Sequence, residues 1–240
     1  WNAEAGLRYD YKYLSADGYD MYSQRYGGEH DFHNITYSLG GAWQATPHTA
    51  LSSNIGVAWR APQVNELYSS GLHHGAGTYN LGEASLSPET GTKWITSLSY
   101  THPERGIYLT ADAYVQLIKN YIYDYPTGET RTLFSGVYPI FQYTQADALF
   151  RGVDIDASLR LAQWGASAQR LSYGLRGSVV FANELKTDRY FPFIPAPRLS
   201  QSLEWKAQPK GLFQTLEASI GHTFVAKQTR FEPSQELVAT

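Results

Sequence analysis

The chain has 240 residues, a formal net charge of −3 and no cysteine, so its length fits one large domain, and disulfides and thiolate metal sites are excluded. The charge provides no basic field for nucleic acid, and no apolar run approaches the roughly 20 residues of a membrane-spanning helix. Aromatic residues reach 15%, with 19 Tyr and 6 Trp, while hydrophobic residues make up only 42%, which suits strands that alternate apolar and polar side chains.

The dominant sequence period is two, which is typical of strands whose successive side chains lie on opposite faces. It is clearest from Ile107 to Ile118, where aliphatic residues alternate with Tyr, Thr, Asp and Gln. The pattern predicts about nine strands, many of roughly 10–13 residues. In chain order they lie near 3–13, 34–44, 51–59, 93–100, 107–118, 153–161, 171–182, 199–206 and 213–224.

The connections alternate between short and long. The short ones lie at Thr46–His48, Pro103–Gly106, 164–170 and Gln208–Gly211, and the long ones near 14–33, 60–88, 119–149 and 183–197. Strands of this length suit a tilted crossing of a bilayer, which takes about 9–11 residues, better than a soluble protein, where about 5–6 are usual. The pattern predicts an all-β fold, an antiparallel transmembrane β-barrel present as a partial barrel of about nine strands.

Aromatic residues occur at both ends of the predicted strands. Trp43, Tyr100 and Trp205 lie beside short turns, and the residues beside long connections are Tyr13, Trp59, Phe181 and Phe224. Amphipathic rings are favoured where a membrane meets water, so we expect two aromatic belts. The alternative is that large rings close the ends of a soluble core.

One segment is more specific than the periodicity. It reads Trp59-Arg60-Ala61-Pro62, then Glu66-Leu67-Tyr68, then Tyr79-Asn80-Leu81-Gly82-Glu83, and ends in Leu86-Ser87-Pro88-Glu89. This segment closely resembles the conserved box of TonB-dependent outer-membrane receptors. Three further stretches resemble other family motifs in the same order, so that the likeness covers nearly the whole chain: Gly6–Asp10, Ala148–Asp154 and Pro192–Leu199.

The resemblance implies a function and an origin. It implies that residues 1–240 are the C-terminal portion of a barrel of about 22 strands, with the plug domain and the last strands absent from this sequence. It implies energy-coupled uptake of a scarce nutrient across the bacterial outer membrane, with haem, a ferric siderophore, a metal such as zinc, or cobalamin as cargo. The implied partners are a TonB-type energy-coupling complex, acting through the plug, and outer-membrane lipid.

Other functions stay open on the sequence. A receptor for oligosaccharide or peptide cargo, a passive porin or barrel adhesin, and a soluble carbohydrate-binding β-protein are the alternatives. Enzymatic action is not expected, because the sequence contains no phosphate-binding glycine loop, nucleophile elbow or zinc-protease motif. Asp154 and Asp156, two apart on one strand, are expected to face a watery lumen rather than to form a catalytic carboxylate pair.

Six residues of the family box are expected to act as a scaffold for the connection that follows Trp59: Arg60, Pro62, Glu66, Leu67, Tyr68 and Glu89. Arg60 is expected to pair with Glu66 or Glu89 and so to hold this connection in place. The resemblance gives these residues a structural part rather than contact with cargo.

The candidate cargo-binding residues are His73, His74 and Tyr79. Haem-uptake members of the family carry a histidine in this connection, and neutral imidazole and tyrosine both ligate haem iron. The stretch Leu81-Gly82-Glu83 departs from the Asn-Pro-Asn-Leu form of haem receptors, which leaves other cargo open. The alternative is an exposed histidine pair that bonds only to loop backbone.

Two other groups of side chains are weaker candidates. His30 and His33, flanked by Glu29 and Asp31, are a candidate divalent-metal site, with a solvated outer loop as the alternative. Five tyrosines of the third long connection either line a path for cargo or fill contacts between loops: Tyr121, Tyr123, Tyr125, Tyr138 and Tyr143.

Overall fold

A computed structural model describes residues 1–19, 25–165, 168–209 and 214–231. Nine long strands form one antiparallel sheet in the order β1-β2-β3-β6-β7-β8-β9-β10-β11, which confirms the predicted fold class. Their bounds are β1 Asn2–Tyr19, β2 Arg25–Thr46, β3 Thr49–Arg60, β6 Glu89–His102, β7 Ile107–Leu133, β8 Gly136–Trp164, β9 Gln169–Glu184, β10 Arg198–Ala207 and β11 Leu216–Val225. Within the described ranges β1 and β11 are the edges of the sheet, so the barrel is partial and unclosed.

The pairing register separates the sheet into two faces, because residues directly opposite each other on paired strands project to the same side. One row of successive partners runs Leu39, Ile55, Trp94, Val115, and the face that carries it is called the apolar face. A second row runs Asp112, Asp154, Ser178, Arg198, and the face that carries it is called the polar face. The alternation predicted from the sequence is therefore a property of the whole sheet.

The described residues leave the apolar face uncovered. Leu7 is 79% exposed and Ile220 is 73% exposed, and many other large apolar side chains are open in the same way. Contiguous exposed apolar areas beyond a few hundred Å² are rare on soluble monomers. An apolar surrounding is what stabilises such a face.

In the described part of the chain, no helix is long and apolar enough to cross a membrane.

Several predicted connections are wrong in extent, because the strands continue into them. β7 has 27 residues and β8 has 29, so most of 119–149 is a long two-stranded extension of the sheet. The register shifts between Ile118 and Tyr121, where Asn120 has a φ of 57° and breaks the ladder. β1 and β2 likewise take up most of 14–33, and the turns predicted at Gln208–Gly211 and 164–170 lie in part outside the described residues.

The connection between β3 and β6 is a small folded unit. It contains helix α1 (Val64–Tyr68) and the antiparallel hairpin of β4 (Ser70–His73) and β5 (Thr78–Leu81). β5 pairs in parallel with β8, with Tyr79 opposite Ile140 and Leu81 opposite Gln142. The two-residue period of the sequence did not indicate this unit. The candidate functional site lies within it.

Candidate functional site

The base of this unit is a three-part ion pair. Arg60, the last residue of β3, donates from Nη1 to both carboxylate oxygens of Glu66 at 2.8 and 2.7 Å and from Nε to Glu89 at 2.7 Å. Glu66 and Glu89 are 8% and 9% exposed. The ion pairs expected from the sequence are both present, and they join the end of β3 to α1 and to the start of β6.

Each carboxylate of this group also accepts a backbone N–H. Glu66 accepts the N–H of Gln63, which completes a capping box at the start of α1, and Glu89 accepts the N–H of Ile122 on β7 at 2.6 Å. Although partial burial of the guanidinium opposes it, hydrogen bonds to Glu89 and Glu66 raise the pKa of Arg60 above its ordinary value. The guanidinium of Arg60 therefore stays protonated across the physiological range.

Apolar packing also stabilises the base of the unit. Pro62 and Leu67 are among the most completely buried side chains, and Leu67 packs with Leu14, Leu86 and Ile122. Tyr68 reaches away from the helix, and its hydroxyl lies 2.5 Å from Nε2 of His30 on β2. Five of the six scaffold residues predicted from the sequence thus make contacts that join the unit to the sheet, and the sixth, Pro62, is buried.

Gly82 allows two segments of this unit, the end of α1 and the residues after β5, to pass very close to each other. Its N–H donates to the carbonyl of Ser69 at 2.7 Å. A Cβ at this position would lie 2.5 Å from the backbone nitrogen of Tyr68 and 2.6 Å from the carbonyl carbon of Leu67. Only glycine fits without a backbone shift, because no Cβ tolerates so short a contact.

The tip of the hairpin carries the two candidate histidines. The N–H groups of Ala76 and Gly77 donate to the carbonyl of His73 at 3.1 and 2.9 Å, and Gly77 has a φ of 65°. Nδ1 of His73 accepts the N–H of Ala76 at 3.1 Å. His73 and His74 are both exposed. The structure therefore brings both imidazoles to the open end of the hairpin, with one of them bonded to the turn.

Tyr79 is placed differently from the histidines. Its side chain is 3% exposed, its ring lies beneath the guanidinium of Arg131 at 4.6 Å, and its hydroxyl is 3.4 Å from Oγ of Ser70. A buried phenol is not available to a cargo molecule above the loops. The geometry does not support the expectation that Tyr79 contacts cargo directly, and it gives the residue a packing role within the hairpin.

A buried carboxyl beneath the hairpin was missed by sequence reasoning. Oδ2 of Asp124, on β7, accepts from Asn80 at 3.4 Å, while its Oδ1 is buried without a hydrogen-bond partner among the described residues. Burial, together with the nearby negative charge of Glu66, raises the pKa of Asp124, and the charge of His73 opposes this rise. In the sequence Asp124 looks like any polar residue of an alternating strand, so only Asn80, within the family box, gave a signal.

The tyrosines of β7 and β8 mostly fill contacts between extended strands and loops. Tyr121 and Tyr123 stack at 6.0 Å, and the ring of Phe191 meets each of them edge-on at 5.0 Å. Asn65 donates to the hydroxyl of Tyr143 at 3.2 Å. Tyr138 donates to Ser135. For these four, the packing alternative describes the structure.

His30 and His33 lie within β2 rather than in an irregular loop. They are three residues apart on an extended strand and so project to opposite faces. Nε2 of His30 meets the hydroxyl of Tyr68, and Nδ1 of His33 lies 2.6 Å from the hydroxyl of Tyr9. The two rings do not share one ion in this arrangement, and among the described residues no group of three or more His, Asp or Glu side chains could hold a metal.

The polar face carries exposed charges. Arg176 donates to Asp156 at 2.8 Å, and both side chains are exposed. Asp112 and Asp154 are cross-strand partners on the same face. This is the arrangement expected for a water-filled lumen.

The long antiparallel strands, with one apolar and one polar face and a folded unit above one end, are the architecture of a transmembrane β-barrel. Residues 1–237 match the family model described as TonB dependent receptor-like, beta-barrel. The chain belongs to the TonB-dependent receptor family, whose barrels lie in the outer membrane.

Solved structures of low sequence identity share this fold. The copper transporter OprC has 18% identity and a TM-score of 0.67, and the match covers 98% of this chain and 33% of that chain. A double mutant of the Serratia marcescens hemophore receptor HasR, in complex with its hemophore HasA and heme, has 14% identity and a TM-score of 0.57, with 90% and 42% covered. The siderophore receptor PirA from Pseudomonas aeruginosa has 16% identity and a TM-score of 0.52, with 92% and 38% covered.

This chain spans between 33% and 42% of the length of these three structures. At such identities the likeness shows the fold alone.

Proposed function

We propose that this chain is part of a receptor of the bacterial outer membrane that imports a scarce metal-containing nutrient: haem, a ferric siderophore, a metal ion such as zinc, or cobalamin. Membership of the family supports energy-coupled transport through a TonB-type complex. The names of the structurally similar proteins support metal-containing cargo as the class. The barrel performs no covalent chemistry in this proposal.

The observation that carries the proposal is the contrast between an anchored base and an exposed imidazole pair. The Arg60 ion pairs and the parallel contact of β5 with β8 hold the hairpin above the sheet, and the turn presents His73 and His74. Imidazole nitrogen binds haem iron, copper and zinc. A fixed hairpin that presents imidazoles suits the capture of such cargo.

Within this site, His74 is the stronger ligand candidate. Because Nδ1 of His73 accepts the Ala76 N–H, the neutral ring of His73 carries its proton on Nε2 and offers no lone pair there. Binding of iron or zinc at His73 would require that bond in the turn to break. We infer that His74 contacts the cargo and that His73 shapes the turn. His30 and His33 lie on β2 and are separate from this site.

The transport proposal is tested with the full-length receptor in vesicles, with and without its energy-coupling complex. We expect uptake of haem or a ferric siderophore only when the coupling complex is active. Uptake of equal rate without coupling would contradict active transport and would favour a passive pore.

The assignment of the histidines is tested separately by haem absorbance on His74→Ala and His73→Ala. Loss of an axial ligand by His74→Ala should weaken haem binding at least about tenfold, and His73→Ala should have a smaller effect through the turn. His48→Ala, at the opposite end of the barrel, is the matched control. Unchanged binding in the double variant would remove both residues from the site while leaving the transport proposal standing.

A further inference from the structure

Two arginines share one aromatic ring on the apolar face. Arg151 and Phe181 are cross-strand partners on β8 and β9, and they continue the row that contains Trp94 and Val115. The guanidinium carbon of Arg230 lies 3.9 Å from the centroid of the Phe181 ring, and that of Arg151 lies 5.8 Å from it. Two positive charges are thus gathered where the surrounding sheet faces lipid.

Neither charge is neutralised by a carboxylate in the described ranges. The ion pairs there involve neither Arg151 nor Arg230. Nη2 of Arg230 is buried and has no hydrogen-bond partner among these residues. A guanidinium over an aromatic ring gains a cation–π contact, yet its N–H donors still call for acceptors.

The depth of this pair relative to the membrane follows from the register. Arg151 lies opposite Val115, and Val115 follows Ile107, the first residue of β7 next to a short turn, by eight positions. At the usual rise and tilt of a barrel strand this is roughly 20 Å across a membrane whose apolar band is about 25 Å tall. The pair therefore lies near the outer edge of the band, at the level of the phosphates of the outer leaflet.

An apolar groove begins at the same place. It has a volume of ≈ 570 Å³ and is lined by Arg151 and Phe181 together with Trp94, Ala113, Val115, Val153 and Val179. Ala113, Val153 and Val179 form the next row of the apolar face toward the short turns. A long acyl chain fits along this row, with its polar end beside the two guanidinium groups.

We propose that Arg151 and Arg230 bind the phosphate of an anionic lipid of the outer leaflet and that an acyl chain of that lipid occupies the groove. The planar guanidinium presents paired N–H donors that match phosphate oxygens, and such charged hydrogen bonds are strong where water is scarce. The bound lipid supplies the anionic partner that the described residues do not provide to these two guanidinium groups. This site is independent of the cargo site and of the choice of cargo.

The test uses the full-length receptor in detergent, with phosphatidylglycerol and phosphatidylcholine of the same acyl chains as probes and native mass spectrometry as the readout. The receptor should retain phosphatidylglycerol in preference to phosphatidylcholine. The Arg151→Gln, Arg230→Gln double variant should lose at least about tenfold of that preference, because charged hydrogen bonds are removed. Lys93→Gln, a charge change on the polar face at the same level, should keep it.

Two further measurements fix the source of the anion and the part of the groove. Ala113→Phe, which fills the groove and leaves both arginines, should weaken retention of both lipids. Inorganic phosphate at millimolar concentration should not displace phosphatidylglycerol. Equal retention of the two lipids by the unaltered receptor, or full preference in a folded double variant, would overturn the proposal, as would displacement by free phosphate.

Discussion

The base and the tip of the connection between β3 and β6 are stabilised by different interactions. At the base, Glu66, Leu67 and Glu89 are buried and Arg60 is partly exposed, and charge pairs and apolar packing hold them together. The tip, from His73 to Thr78, is held by backbone hydrogen bonds of a turn, and its imidazoles are open. The contrast teaches that the family box fixes the position of the hairpin, while the exposed tip is the part that we propose contacts cargo.

The largest expected effect comes from breaking the base with Arg60→Ala in the full-length receptor. Two buried carboxylates would lose their cation, and the local free energy of opening should fall by about 3 kcal/mol, the low end for a buried pair because Arg60 is partly exposed. Hydrogen exchange of the amides of α1 and β5 measures this. Arg176→Ala, which breaks the exposed pair with Asp156, should change exchange by no more than about 1 kcal/mol. Equal effects of the two variants would contradict the buried anchor.

A smaller effect is expected from Gly82→Ala. The added Cβ meets the backbone of Leu67 and Tyr68 and should loosen the junction of α1 and β5 by about 1–3 kcal/mol. Gly71→Ala is the matched control, because no atom of the described residues lies within 4 Å of a Cβ there. Thermal inactivation of cargo binding and hydrogen exchange at Gly82 and Glu83 measure the difference; indistinguishable variants would refute the close crossing.

The smallest expected effect is a pH-dependent change in the stability of the hairpin when Asp124 is replaced. Burial raises the pKa of Asp124, so its stabilising, protonated form is fully present below the ordinary value of 3.8 and is lost as pH rises through the raised pKa. Asp124→Asn should therefore slow hydrogen exchange of β5 at neutral pH and leave it unchanged at a pH below 3.8. Asp112→Asn, on the polar face of the same strand, is the control. An equal gain at both pH values would contradict the role of ionisation.

The sheet was predictable because its information is local. Alternation such as that of Ile107–Ile118 specifies a strand and its two faces without knowledge of any partner, and the nine long strands followed from it. The β4–β5 hairpin was not predictable in this way, since strands of four residues carry little period and β5 is stabilised by β8, some sixty positions along the chain.

In the candidate site, too, features within one sequence motif were predictable, and contacts between distant segments were not. The pairing of Arg60 with Glu66 and Glu89 was expected, because the resemblance placed all three in one box. Asp124 was missed because its burial depends on Asn80 and Glu66 arriving from another connection. The burial of Tyr79 beneath Arg131 depends in the same way on a contact between two distant segments.

The parallel contact of β5 with β8 has a mechanical consequence. β8 is one continuous strand from Gly136 to Trp164. The hairpin is therefore paired with a strand that extends from the loop region to the short turn at the other end of the sheet. A force on the hairpin would act on β8 and, through the backbone hydrogen bonds of the sheet, on β7 and β9. We therefore expect the hairpin and strand β8 to move together.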